Sequence, residues 1–82
     1  MFLARIYITL KHGVLDPQGQ AVQSALAHLG YDQVDDLRVG KFMELKLEAA
    51  GADEAGRLVD EMCQKLLANP VIENYRYEIS EL

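Results

Sequence analysis

The residue types that bind metals are few in this chain and stand far apart. The only histidines are His12 and His28, and the only cysteine is Cys63. None of the short spacings typical of a zinc site occurs among these three residues, which fall in different predicted elements. His28 falls near the end of a predicted helix, where a histidine commonly interacts with the helix dipole. The sequence therefore predicts no metal site.

Cys63 is also the only candidate for a thiol nucleophile. It follows Met62 well inside a predicted helix, away from the helix N-terminus and the cations that make a thiolate reactive. The pattern favours Met62 as a core residue and Cys63 as a half-buried small hydrophobe. Among the acids, Asp35, Asp36 and Glu48 lack the apolar surroundings that a general acid or base needs. No catalytic residue is predicted.

A possible anion site lies at Arg38-Val39-Gly40-Lys41, where two cations flank a glycine. Gly40 could let the backbone approach a phosphate closely, but no glycine-rich loop leads into a helix and neither nucleotide-binding fingerprint is present. The favoured interpretation is a strand bend with two exposed cations that pair with carboxylates, and a contact with a partner is the alternative. No cofactor-binding residue is predicted.

Length and composition restrict the protein to a few classes. The chain has 82 residues, half of them hydrophobic, and a net charge of −5, which predicts one domain over residues 1–82. An acidic surface repels phosphate backbones, so a nucleic-acid partner is not expected. No apolar run is long enough to cross a membrane, and Met1–Ile6 predicts a first strand and not a signal peptide. The single cysteine favours a reducing, cytoplasmic setting.

Period-two alternation predicts three or four strands. In the first, the even residues of Phe2–Leu10 are expected to face the core. The alternation returns over Val34–Glu48, interrupted at Gly40. A three-residue hairpin loop over 40–42 and one long strand bent or bulged at Gly40 both keep the apolar residues on one face. A last strand is expected to turn Val71, Tyr75, Tyr77 and Ile79 to one side.

Two amphipathic helices are predicted between the strands. Asp16 and Pro17 form an N-cap and first position, and Gly30 ends the first helix. The second helix opens at Asp53-Glu54 and ends before Pro70. The buried stripes are expected to be Ala21, Val22, Ala25, Leu26 and Leu29 in the first helix and Ala55, Leu58, Val59, Met62, Leu66 and Leu67 in the second.

This order predicts an α+β fold, a two-layer sandwich with two helices on one face of a mostly antiparallel sheet of three to four strands. The other face of the sheet, with Leu3, Tyr7 and either Phe42 or Ile72, would then meet solvent or a partner, and a partner is favoured, most simply a second copy. The residues expected at partner interfaces are Arg38, Gly40, Lys41, Phe42, Gln18, Gly19, Leu3 and Tyr7.

Several collinear segments resemble the PurS family, the small subunit of phosphoribosylformylglycinamidine (FGAM) synthase. They cover essentially the whole chain, and it is their order and spacing together that make the resemblance specific. A looser start of the second helix, with Gly51 and Gly56, departs from the family's usual charged run. The segments are Tyr7–Lys11, Val14–Gly19 with Ala21-Val22, Leu29–Tyr31, Val34–Leu47 with Arg38–Phe42, and Cys63–Glu73 with Tyr75.

The resemblance implies a subunit of an ATP-dependent amidotransferase in the fourth step of purine biosynthesis, which converts formylglycinamide ribonucleotide and glutamine to formylglycinamidine ribonucleotide. A synthetase subunit would bind ATP and magnesium, and a glutaminase subunit would release ammonia. The small subunit, as a homodimer or a tetramer, would bridge the two without catalytic residues of its own, and could aid ammonia transfer.

A second hypothesis is a regulatory module of the ferredoxin-like kind that binds a small effector near Arg38–Lys41. A nucleic-acid-binding domain is disfavoured by the net charge and by the lack of an aromatic platform on a basic face.

Overall fold

The computed structural model describes residues 1–82 and contains three strands and two helices. Strand β1 (Phe2–Leu10) is followed by helix α1 (Pro17–His28), strand β2 (Gly40–Leu47), helix α2 (Ala52–Met62), a π-helical turn (Cys63–Leu67) and strand β3 (Glu73–Glu81). The sheet is antiparallel with the order β2-β1-β3. The predicted α+β class and the order of elements are confirmed.

The central strand β1 carries most of the core. Its even residues Phe2, Ala4, Ile6 and Ile8 are all buried, as the alternation predicts. Antiparallel pairing puts Met43 and Tyr77 beside Ile6. Residues directly opposite in a sheet share a face, so the apolar sides of all three strands form one continuous surface.

Helix α1 begins and ends where its local signals predict, but it packs differently. Asp16 caps the first turn, Pro17 occupies the first helical position, and Gly30 follows the helix with φ of 98°. The helix makes little contact with the sheet. Its expected buried stripe is largely exposed, with Val22 at 41% and Leu29 at 73%. Only α2 covers the sheet, so the expected packing of both helices on one face is wrong for α1.

The segment between α1 and β2 is neither of the two expected structures. Residues 34–39 form no strand, and β2 begins at Gly40 itself. The reason is that α1 binds this segment: the side-chain amide of Gln23 donates to the carbonyls of Val34 (3.3 Å) and Asp35 (3.1 Å). The chain therefore runs back along α1 before it enters the sheet. We call α1 with this return segment, residues 17–39, the arm.

Helix α2 and the π-helical turn bury a narrower ridge than predicted. Ala55, Val59 and Cys63 are fully buried at a spacing of four residues. Met62 is 36% exposed and Leu66 is 82% exposed, so their assignment to the core is wrong, and Cys63 takes the core position expected of Met62. Because the sheet already covers the ridge, the flank with Met62 and Leu66 faces outward.

Strand β3 starts two residues later than predicted. Tyr75, Tyr77 and Ile79 pack against the core as expected, but Val71 precedes the strand and is 81% exposed. The side chain and backbone of Asn69 hold a turn over residues 69–73, which keeps Val71 away from the sheet.

Candidate interaction surfaces

A cluster of polar groups at the base of the arm fixes the arm to the sheet. The Asp16 carboxylate accepts hydrogen bonds from the N–H groups of Gly19 (2.9 Å) and Val39 (3.0 Å). These two bonds, with that of Gly19 the stronger, hold the pKa of Asp16 below its ordinary value of 3.8; desolvation opposes them, and the charge of Arg38 adds the smallest lowering effect. One carboxylate thus joins the start of α1 to the start of β2.

Arg38, expected at a partner interface, is engaged within its own chain. Its guanidinium donates to the carbonyls of Leu10 and Lys11, and it lies 3.2 Å from the ring nitrogen Nδ1 of His12. Five donors in a rigid fork make arginine suited to such a bridge between carbonyl groups. The structure therefore gives Arg38 a role in holding the end of β1.

Both glycines expected at partner interfaces, Gly19 and Gly40, lie where a side chain would not fit. A Cβ on Gly19 would lie 2.7 Å from the Leu37 carbonyl oxygen, and a Cβ on Gly40 would lie 2.4 Å from that of Ile8. Gly19 is also buried. Close backbone approach explains both glycines, whether or not a partner contacts this region.

Lys41 and Gln18 lie beside a cavity of about 260 Å³ between the arm and the end of the sheet. The Lys41 ammonium is 3.6 Å from a carboxylate oxygen of Glu73 and is mostly exposed. The other Glu73 oxygen accepts from the N–H of Asn69 at 2.7 Å. A second, polar cavity of about 270 Å³ lies on the arm side and is lined in part by His12, Asp36 and Arg38.

The open face of the sheet brings Tyr7 and Phe42 together. Their ring centroids are 5.0 Å apart, and the guanidinium carbon of Arg76 lies 3.9 Å above the Tyr7 ring. Leu3 is on the same face of β1, beside Lys46 and Ser80. The sequence pattern did not single out Arg76, because only the register of β3 against β1 puts it beside Tyr7.

An apolar groove lies between α2 and β2 on the other side of the sheet. It has a volume of about 350 Å³, and its apolar residues were all assigned to the core by the helical and strand patterns. The arm also leaves large apolar side chains exposed, namely Val22, Leu29 and Tyr31. The apolar lining of the groove consists of Leu45, Leu58, Met62, Leu66 and Leu67.

The thiol of Cys63 is enclosed. Desolvation by burial raises the pKa of this group, and the nearby Asp60 charge raises it further. A thiol with these surroundings is a poor nucleophile. No group of three or more His, Cys, Asp and Glu side chains is close enough to hold a metal ion, and no helix has the length and apolar character needed to cross a bilayer.

These features define a small α+β protein whose conspicuous surfaces are apolar areas left uncovered in the single chain. The sequence matches the PurS family, described as phosphoribosylformylglycinamidine (FGAM) synthase, over residues 3–81. The chain belongs to the PurS family.

Relatives match over most of their length. The PurS subunit of phosphoribosylformylglycinamidine synthase from Bacillus subtilis is 54% identical, over 100% of this chain and 96% of that protein. The crystal structure of PurS from Methanocaldococcus jannaschii, one of the subunits of formylglycinamide ribonucleotide amidotransferase, has a TM-score of 0.90 at 38% identity, covering 100% of this chain and 99% of that one. A chain in the structure of PurLQS from Thermotoga maritima has a TM-score of 0.86 at 28% identity, covering 98% and 99%.

Proposed function

We propose that this chain is the small, non-catalytic assembly subunit of FGAM synthase, acting in the fourth step of purine biosynthesis in the cytoplasm. The observation that carries the proposal is the family match over residues 3–81. The arrangement of side chains agrees with it: the only thiol is enclosed, and Asp16, a carboxylate whose pKa is lowered, accepts hydrogen bonds from two backbone N–H groups.

In this proposal the reacting groups belong to other chains. A synthetase subunit binds ATP, magnesium and formylglycinamide ribonucleotide, and a glutaminase subunit supplies ammonia from glutamine. The small subunit bridges the two and favours the arrangement in which ammonia passes between them. The PurLQS structure from Thermotoga maritima supports the comparison, because a chain of similar fold occurs in it.

The bridging unit is a homodimer in this proposal, and the uncovered arm and groove support that. The twelve residues of α1 include no Asp, Glu, Lys or Arg, and an isolated helix of this length is marginal in water. An uncharged helix that leaves Val22 and Leu29 exposed needs a covering surface. Within its own chain the arm has none, since α2 lies over the sheet and α1 lies away from it.

The groove between α2 and β2 offers that surface on a second copy. Its apolar lining suits an uncharged helix, and α1 is about 18 Å long at 1.5 Å per residue, comparable to the length of α2. Each copy has one arm and one groove, so a two-fold axis satisfies both at once and closes the assembly. The face of the sheet with Tyr7 and Phe42 is left free by this arrangement.

The test is the molar mass of the purified chain by light scattering, alone and mixed with the synthetase and glutaminase chains of the same organism plus glutamine and ATP. We expect a dimer of about twice the 9.2 kDa chain mass that joins a larger complex. A monomer at micromolar concentration that binds neither chain would contradict the proposal.

A second candidate, a small-effector module, is favoured by one observation. The cavity of about 270 Å³ at the base of the arm is lined by the carboxylates of Asp16 and Asp36 and by the guanidinium of Arg38. This combination suits a polar ligand that carries both a positive and a negative charge. Thermal shift with purine nucleotides and amino acids tests this: a rise in Tm that is lost in Asp36→Asn favours the effector module, and no rise with any of them counts against it.

A further inference from the structure

The open face of the sheet carries one row of side chains that spans all three strands. Phe42 on β2 lies against Tyr7 on β1, and Arg76 on β3 stacks on the Tyr7 ring at 3.9 Å. Phe42 is 54% exposed. We call Phe42, Tyr7 and Arg76 the aromatic row. Aromatic rings and arginine are the side chains that most often dominate the binding energy of protein interfaces.

Charged side chains surround the aromatic row and mostly pair with each other. Arg5 lies 3.7 Å from Glu44, and Arg76 lies 3.1 Å from Glu78. Lys46 lies on the same face, two residue pairs along the strands from the aromatic row. It makes no ion pair within 4 Å. An apolar and aromatic centre with a paired, polar rim is the usual composition of a protein docking surface.

The charge of this face indicates the chemistry of its partner. The face carries three cations, Arg5, Lys46 and Arg76, and two carboxylates, Glu44 and Glu78, as the strand register shows. It is therefore net positive on a chain whose total charge is −5. Complementary potential favours an acidic partner here, although the rest of the surface would repel one.

A second copy of the chain is a poor occupant. Two copies joined face to face would bring surfaces of the same net sign together, which costs binding energy. The arm and groove already supply a self-complementary contact on the opposite side of the sheet. The aromatic row is left pointing outward on each copy of the dimer.

We infer that the aromatic row is the docking surface for one of the larger chains of the assembly, and that it receives a segment carrying a carboxylate and an apolar side chain. The carboxylate meets the guanidinium of Arg76, and the apolar side chain packs on Phe42. This inference rests on the proposed function as an assembly subunit. The existing pair of Arg76 with Glu78 is exposed and therefore weak, so a partner's carboxylate can replace or share it.

Stacking on Tyr7 gives Arg76 a fixed orientation before the partner arrives. A guanidinium held flat on a ring loses less side-chain freedom on binding than a free one. Lysine cannot reproduce this arrangement, because its ammonium is a point charge without a planar fork. Arg76→Lys should therefore bind more weakly than the wild type even though the charge is unchanged.

The experiment measures the Kd of the intact dimer for the synthetase chain and for the glutaminase chain, each separately, for the wild type and four variants. The variants are Arg76→Gln, Arg76→Lys, Phe42→Ala and, as a matched exposed control, Val71→Ala. For one of the two large chains we expect Arg76→Gln and Phe42→Ala to raise the Kd about tenfold or more. Arg76→Lys should fall between, and Val71→Ala should bind like the wild type. Raising the salt concentration should weaken the wild type more than Arg76→Gln.

Urea midpoints and light scattering of each variant alone keep the result interpretable. Arg76 is exposed, so Arg76→Gln tests the inference even if Phe42→Ala folds poorly. Unchanged Kd values for both large chains would overturn the inference while leaving the assembly role intact, whereas a wild type that binds neither chain would remove the assembly role itself.

Two other outcomes would also overturn it. A loss of the dimer in Arg76→Gln would show that this face joins copies of the chain. A purine nucleotide that shifts the Phe42 ring resonances and competes with the larger chain would show that the row is a small-molecule site.

Discussion

At the scale of single residues, the carboxylate of Asp16 does two tasks, capping α1 and holding the N–H of Val39. Its pKa is lowered in the folded chain, so its ionisation stabilises the fold at pH values above the ordinary, unfolded pKa of 3.8. That contribution is lost as the pH falls through the lower folded value. We expect urea midpoints of the wild type and Asp16→Asn to differ most near neutral pH and to converge in acid. A constant difference from pH 7 to pH 3 would contradict the role of the charge.

Arg38 and Lys41 form a useful pair of test positions, because they are three residues apart in the chain and make different kinds of contact. Arg38 donates to two backbone carbonyls, and Lys41, whose own side chain is mostly exposed, makes one ion pair with Glu73. Arg38→Gln should lower the free energy of unfolding by about 1–3 kcal/mol, since carbonyl groups lose charge-assisted bonds. Lys41→Gln should change it by less than about 1 kcal/mol. If urea denaturation shows the same loss of unfolding free energy for Arg38→Gln and Lys41→Gln, the arm is not held through Arg38.

The same residues show which contacts a sequence reveals. The cap of Asp16, the position of Pro17 and the stop at Gly30 depend on neighbours within four residues, and all three were predictable. The contacts of Arg38 with Leu10 and of Gly40 with Ile8 join positions about 30 apart in the chain. Spacing in the sequence carries no signal for them, so Arg38 and Gly40 were assigned to an interface by residue type alone.

At the scale of elements, the phase of α2 was the main error. The expected apolar stripe is wider than the ridge that the sheet covers, and it placed Met62 in the core and Cys63 at a half-buried position beside it. The structure buries Val59 and Cys63 and leaves Met62 at the groove. The strand expected over 34–39 failed for a different reason: its alternation is real, but Gln23 and Asp16 bind that backbone to α1 before it can join the sheet.

A pair of substitutions in α2 tests the phase. Val59→Ala removes two buried methyl groups and should cost about 2 kcal/mol of unfolding free energy, including a small cavity. Met62→Ala in the monomeric state should cost less than about 1 kcal/mol, because its side chain already contacts water. Guanidinium denaturation at low protein concentration, where the proposed dimer would dissociate, measures both. A loss for Met62→Ala as large as that for Val59→Ala would restore Met62 to the core, as the sequence predicts.

At the scale of the whole molecule, the single chain is far from compact. Its radius of gyration is 16.2 Å, whereas about 12 Å is expected for a compact domain of this length. Only nine of the 82 residues are buried. Both values follow from the arm, which extends the molecule to 51 Å. A chain that buries so little by itself should gain much of its stability from association, so its urea midpoint should rise with protein concentration.

The arm and groove give that coupling a specific test. Val22 and Leu29 lie on the uncovered side of α1, and Ser24 lies on the opposite side, about 140–160° around the helix from them at 100° per residue. Leu29→Glu with Val22→Glu would put two carboxylates against the apolar groove, and burying unpaired charge is costly. We expect the dissociation constant of the dimer to rise about 100-fold or more, and the urea midpoint to lose its dependence on concentration. Ser24→Glu, with the same kind of added charge on the far side, should leave both unchanged. If the double variant stays dimeric, the copies associate through another surface, and the open sheet face would be the next to examine.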